Sequence, residues 1–264
     1  MASESLVIEV NETPHSAAVS RDGAQVYVTQ FRTGTVTVLD AVGNSIEKSL
    51  KVQSEPGPYG VATHPDGGIY VADNSRDFVR RVDPATGDIG PDAGINVRPY
   101  GLATNHAGSL LFAACPLDDC IEVLDAGIKN VFRLRYDDFC VGVAVSADGA
   151  TLCATNYFSN TVSIVDISTL ETAMNRGEVS GDAAVANTVR VAEGPYGIAL
   201  SPDGQRLYVA HFGSAHVVSV IDVDSRTVID TIGLAHGMVR GVVAVGDRLY
   251  VTNYFDGSVS VIDV

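Results

Sequence analysis

A repeat constrains this chain more than any other feature. A turn-rich opening, Pro-Tyr-Gly followed by small apolar residues, reads Pro58-Tyr59-Gly60-Val61-Ala62, Pro99-Tyr100-Gly101-Leu102-Ala103 and Pro195-Tyr196-Gly197-Ile198-Ala199. Weaker copies begin at Pro14-His15-Ser16, Cys140-Val141-Gly142 and Val239-Arg240-Gly241. The third position falls at 16, 60, 101, 142, 197 and 241, giving intervals of 44, 41, 41, 55 and 44 residues. A period of this size indicates an array of like modules. The one long interval marks an insertion.

Each module also carries a strand pattern. Asp22-Gly23, Asp66-Gly67, Asp148-Gly149 and Asp203-Gly204 read as hairpin turns, because Gly and Asp tolerate the positive φ that tight turns need. Alternating strands follow, such as Val26-Tyr27-Val28-Thr29 and Leu207-Tyr208-Val209-Ala210. A third strand ends in Asp at 40, 83, 125, 166, 222 and 263, and a weaker fourth follows at 46–52 or 227–232. Four antiparallel strands in about 44 residues make a propeller blade, with no room for crossover helices. The expected fold is therefore all-β: one six-bladed β-propeller domain over residues 1–264, with blades opening near 14, 58, 99, 140, 195 and 239.

The sixth module has only three strands, while residues 6–10 (Leu6-Val7-Ile8-Glu9-Val10) form a strand belonging to no module. Pairing the two closes the ring and removes its open edges. The long interval is filled by residues 168–188. There, residues 169–176 are expected to form a short helix capped by Ser168, on a surface excursion.

Tyr250-Val251-Thr252-Asn253 with Ser258-Val259-Ser260-Val261-Ile262-Asp263 resembles the YVTN β-propeller repeat, and Cys153-Ala154-Thr155-Asn156 is a second good copy. The resemblance implies a propeller related to surface-layer proteins, lactonase-like enzymes and redox-enzyme propeller subunits. Many of that family have seven blades, so six is a departure. The resemblance also slightly favours an extracellular or periplasmic setting.

The formal net charge is −15 with only three Lys, so a nucleic-acid or anionic-membrane surface is a poor partner. A cationic or neutral ligand, a metal or a basic protein suits this field better, and a small molecule or peptide at the channel mouth is the expected partner. No apolar run approaches the length of a membrane span, and Met1–Ser5 has neither the basic nor the apolar region of a signal peptide.

In propellers the loops before the inner strand and after the second strand crowd one face around the channel mouth, where ligands usually sit (an analogy of fold). The second strands end in Gln30, Asp73, Cys115, Asn156, His211 and Asn253. Asn156 and Asn253 follow the repeat and read as structural. Asp73 and His211 depart from it, as candidate acid/base or metal groups or as residues satisfying loop backbone. The aromatic residues Phe31, Tyr59, Tyr100, Tyr157, Tyr196, Phe212 and Tyr254, with Arg32, are candidates to line a ligand site, or to pack between blades. At the repeated tyrosine position stand His15 and Arg240. An Arg there suggests a carboxylate anchor or a salt bridge to a loop acid.

His15, His211, His216 and His236 fall on the predicted site face, and His64 and His106 on the other. No cofactor is evident. A divalent ion (Zn²⁺ on His and Asp73, or Ca²⁺ or Mg²⁺ on Asp73, Asn156 and Asn253) is a secondary reading. Cys115 and Cys120 flank a hairpin loop and are candidates for a disulfide. Cys153 reads as core. The Cys140 thiol, beside acids, is a poor nucleophile.

These features predict a ligand- or partner-binding propeller with an aromatic and polar site at the channel mouth. The alternative is a lyase, lactonase or hydrolase using His15 or His211 as base, Asp73 as orienter or metal ligand, and Arg240 as clamp.

Overall fold

The computed structural model describes residues 3–10, 13–53, 57–95, 98–136, 138–146, 148–182, 185–213, 216–235 and 237–264. Their strands form six sheets, each built on four antiparallel strands, in sequence order in all but the last blade. The innermost strands are Pro14–Val19, Pro58–Thr63, Leu102–Thr104, Cys140–Val145, Pro195–Leu200 and Val239–Val245. They touch in cyclic order, the last against the first, so the six-bladed propeller is a closed ring. Blade three's inner strand starts at Leu102. Its backbone hydrogen bonds nonetheless reach back to Tyr100, whose N–H donates to the Ala114 carbonyl.

Closure follows the sequence expectation and extends it. Strand Ser3–Glu9 pairs antiparallel with Ser258–Asp263 and supplies blade six's outer strand. Ile8 and Val10 are buried with Val26, Val28, Tyr250 and Val259, joining blade six to blade one. Five other apolar clusters join the remaining neighbouring blades, one at each junction. The core is thus a set of layers between blades. This explains why the second strands are apolar on both faces, as in Val26-Tyr27-Val28 and Ile69-Tyr70-Val71, all of them buried.

The Pro-Tyr-Gly opening is a β-bulge. Pro58 lies opposite Asp73 and Val61 opposite Val71, so Tyr59 and Gly60 together oppose Ala72. The same shift occurs in the inner strands of blades one, four, five and six. A bulge re-aims its side chains and bends its strand. The glycine is needed because neighbouring inner strands nearly touch. A Cβ on Gly60 would stand 2.1 Å from the Tyr100 carbonyl oxygen, and one on Gly197 2.1 Å from that of Arg240.

The insertion departs from the sequence expectation. The helix spans Ile167–Asn175, and its cap is Asp166, whose carboxylate accepts from the Ser168 N–H. It is no surface excursion: Ile167 and Leu170 are buried against blades three and four. Beyond it, Ser180–Asp182 adds a fifth strand, parallel, to Asn130–Arg135 of blade three. No helix among the described residues is long and apolar enough to cross a membrane.

Cys115 and Cys120 stand directly opposite each other, as their spacing suggests, but both are free thiols, and so are Cys140 and Cys153. The Cys115 sulfur also reaches the Ala113 carbonyl and that of Cys120 the Glu122 carboxylate. Burial pushes the Cys115 thiol well up, and Cys153 up to about 12. Cys140 is raised by burial first and by Asp138 second.

Candidate functional site

The two loop sets meet at one mouth. The N–H of Phe31 donates to Thr13, that of Phe212 to Gly194, that of Tyr157 to Phe139 and that of Tyr254 to Met238. In each case the loop after a second strand is tied to the segment leading into the inner strand. The bulges then aim their side chains at the axis, where a continuous aromatic cluster forms.

His15 and Tyr59 stack with centroids 4.0 Å apart, and Tyr59 meets Tyr100 at 4.9 Å and Phe31 at 5.0 Å. Tyr196 lies 5.6 Å from His15 and 5.6 Å from Phe212, while Tyr157 reaches Tyr196 at 6.3 Å. Tyr254 joins at 6.0 Å from both His15 and Phe212. All seven sequence-nominated aromatic residues therefore share one cluster. Arg32 lies exposed on the rim, its backbone N–H donating to the Thr13 hydroxyl.

Arg240 sits in the middle. Its guanidinium carbon lies 3.7 Å from the Tyr254 ring centroid, 4.2 Å from that of Phe212 and 5.0 Å from that of Tyr196. A guanidinium is attracted to the negative faces of such rings. It also donates to His15 Nε2. Arg has no acceptor, so His15 is neutral and protonated on Nδ1. Consistently, burial and the nearby Arg240 hold the His15 pKa well below its ordinary value. The Tyr196 hydroxyl is 3.3 Å from the same Nε2, and burial pushes the Tyr196 pKa far up. No carboxylate pairs with Arg240 among the described residues, and its Nε is buried without a hydrogen-bond partner.

Below this layer the channel is nearly filled. A cavity of about 50 Å³ remains, lined by His15, Tyr100, Tyr196 and Arg240 and by the bulge glycines. That is room for a water or two.

Asp73 and His211 stand elsewhere. Both are fully buried at the ends of second strands and are absent from the lining of the axial cavity. His211 Nε2 is 2.8 Å from the Ser219 hydroxyl, and Nδ1 is 3.2 Å from the Glu193 carbonyl. Asn156 and Asn253 do the same job in blades four and six, donating to Ser163 and Ser260 at 2.9 Å. His211 therefore ties second strand to third within its own blade, and burial lowers its pKa to about 4. One Asp73 oxygen accepts from the Ser75 N–H at 2.9 Å, the other has no partner, and burial raises its pKa.

His216 lies in a loop of blade five, half-buried, with a left-handed backbone (φ 50°). His236 lies outside the described residues. His64 bonds Gly108 and Asp66 on the far face, and His106 is exposed. Among the described residues, no three His, Cys, Asp or Glu side chains gather in a group that could hold a metal ion.

The sequence reading did not anticipate two exposed aromatic residues beside the rim. Phe158 meets Tyr157 edge to face at 5.2 Å and Phe255 meets Tyr254 likewise at 5.0 Å, at 70% and 66% exposure. The signal was present: both occupy the same place in their modules, one residue beyond the rim tyrosine.

The sequence matches no protein-family model and no curated protein sequence. Solved structures resemble it in fold. Hydrazine synthase of Kuenenia stuttgartiensis is similar with a TM-score of 0.72 at 18% identity, over 97% of each chain. The β-propeller domain of Myceliophteria thermophila Cps50 (Swd1) is similar with a TM-score of 0.75 at 10% identity, over 98% of this chain and 99% of that one. At such identities the likeness shows a β-propeller and nothing finer.

Proposed function

We propose that this chain is a binding protein whose channel mouth receives a carboxylate-bearing ligand or partner segment. One observation carries the reading. Arg240 holds its charge among three aromatic faces and a neutral imidazole, with no carboxylate against it among the described residues. A planar guanidinium with no carboxylate partner among the described residues suits a carboxylate, and the surrounding rings suit its apolar or aromatic remainder. Because the channel below holds only about 50 Å³, the ligand rests on the mouth and does not thread the ring.

A lyase or hydrolase needs a base with a free lone pair. The Nε2 of His15 is engaged by Arg240 and Tyr196, and Asp73 and His211 face into their blades. This favours binding over catalysis.

The test is calorimetric titration with phenylacetate against its neutral amide, phenylacetamide. Phenylacetate is expected to bind more tightly, with the preference removed in Arg240→Gln. Equal binding of both probes, or a preference that survives in Arg240→Gln, overturns the reading.

A further inference from the structure

At the foot of the junction between blades three and four, the side chains line an open-mouthed cavity of about 220 Å³. Phe112, Phe132, Leu134 and Leu152 form its walls and are almost completely buried. Leu170 and Ala173 of the inserted helix roof it. Gly181 of the added parallel strand closes one side, where a Cβ would stand 3.1 Å from the Phe132 ring. The insertion that lengthens the repeat to 55 residues is thus what builds this chamber.

We propose that the chamber is a second binding site, for a small ring-bearing apolar molecule with a cationic amine tail. Size supports the ring. An apolar cavity of about 150 Å³ suffices for benzene, and this one leaves room for a short tail.

Charge supports the amine, because the rim carries Asp166, Glu178 and Asp182. Asp166 caps the helix and Asp182 pairs with Arg135 at 2.7 Å. Glu178, exposed at the opening, forms no ion pair among the described residues, so it is the acid that would meet an ammonium group. A carboxylate tail would instead face three acids.

The test uses the full chain and phenethylamine, with phenethyl alcohol as the neutral analogue, by calorimetry. Both are expected to bind at one site per chain, the amine more tightly. Glu178→Gln should weaken the amine about tenfold and leave the alcohol unchanged. Filling the chamber by Leu170→Trp, or by Ala173→Phe should the first variant fail to fold, should abolish both, with an unchanged circular dichroism spectrum as the folding control. Phenylacetate should not compete, which keeps this site separate from the mouth. The proposal fails if neither probe binds, if both survive in folded chamber-filling variants, or if Glu178→Gln leaves the amine as tightly held as before.

Discussion

The hydroxyl of Thr155 donates to the carbonyl oxygen of Tyr196, 2.9 Å away in the next blade, while accepting from the N–H of Gly142 at 2.8 Å in its own. One side chain thus fixes a bulge and fastens two blades. Thr29 repeats the arrangement between Ser16 and Tyr59, and Thr252 between Gly241 and His15.

Replacing Thr155 with Val keeps its shape and removes both bonds. The orphaned Gly142 N–H and Tyr196 carbonyl should cost about 1–3 kcal/mol. Thr155→Ser should recover most of the loss. Urea unfolding checks both. The Tyr196 ring also loses its backbone anchor, so binding at the mouth should weaken in parallel.

Gly197→Ala places a Cβ 2.1 Å from the Arg240 carbonyl oxygen, which no rotamer relieves. The ring must open locally, and a loss of more than about 3 kcal/mol or failure to fold is expected. Gly94, with nothing within 4 Å of its Cβ position, is the control. Gly94→Ala should stay within about 0.5 kcal/mol of the native chain.

Removing residues 1–10 deprives blade six of its outer strand and exposes Ser258–Asp263 as an edge. The melting temperature of the whole ring should fall, in one cooperative transition. Ile8→Ala, which empties one buried position at the same seam, should cost about 2–4 kcal/mol. A melting temperature unchanged by the deletion would show that the ring does not depend on this strand.

His211 gives a pH dependence with a definite sign. Its folded pKa, about 4, lies below the ordinary 6.5, so the unfolded chain binds the proton first. The stability it contributes is complete above pH 6.5 and is lost as pH falls towards 4, by about 2–3 kcal/mol in all. His211→Asn inserts the residue that blades four and six use to bond the corresponding serine. Denaturation at pH 7 should change little, whereas the loss between pH 6.5 and 4 should shrink.

The ring was legible because blade geometry demands particular residues at particular steps. The Gly of five of the six openings meets a neighbouring backbone, the Thr of the Tyr-Val-Thr-Asn motif clasps two blades, and the Asn ties strands together. Periodicity registers such demands directly. The candidate mouth was legible in part: the bulge positions Tyr59, Tyr100, Tyr196, His15 and Arg240 announced themselves by place. Sequence alone did not separate a side chain aimed at the axis from one turned into its blade, so His211 looked as prominent as His15. The added strand, Ser-Gly-Asp, carries no β-signature, because its pairing comes from the partner edge it meets. The helix began earlier than expected because Asp166 serves as both a strand end and a cap.

The seam between Ser3–Glu9 and Ser258–Asp263 also sets an order of events during synthesis. The strand Ser3–Glu9 must wait for a partner made some 250 residues later. Until then, Ile8 has only the blade-one half of its apolar pocket, Val26, Val28 and Leu39, and blades that are already paired cannot lock the circle. Completion therefore comes late and rests on the most distant contact in the chain, which makes assembly of this ring slow compared with that of any single blade.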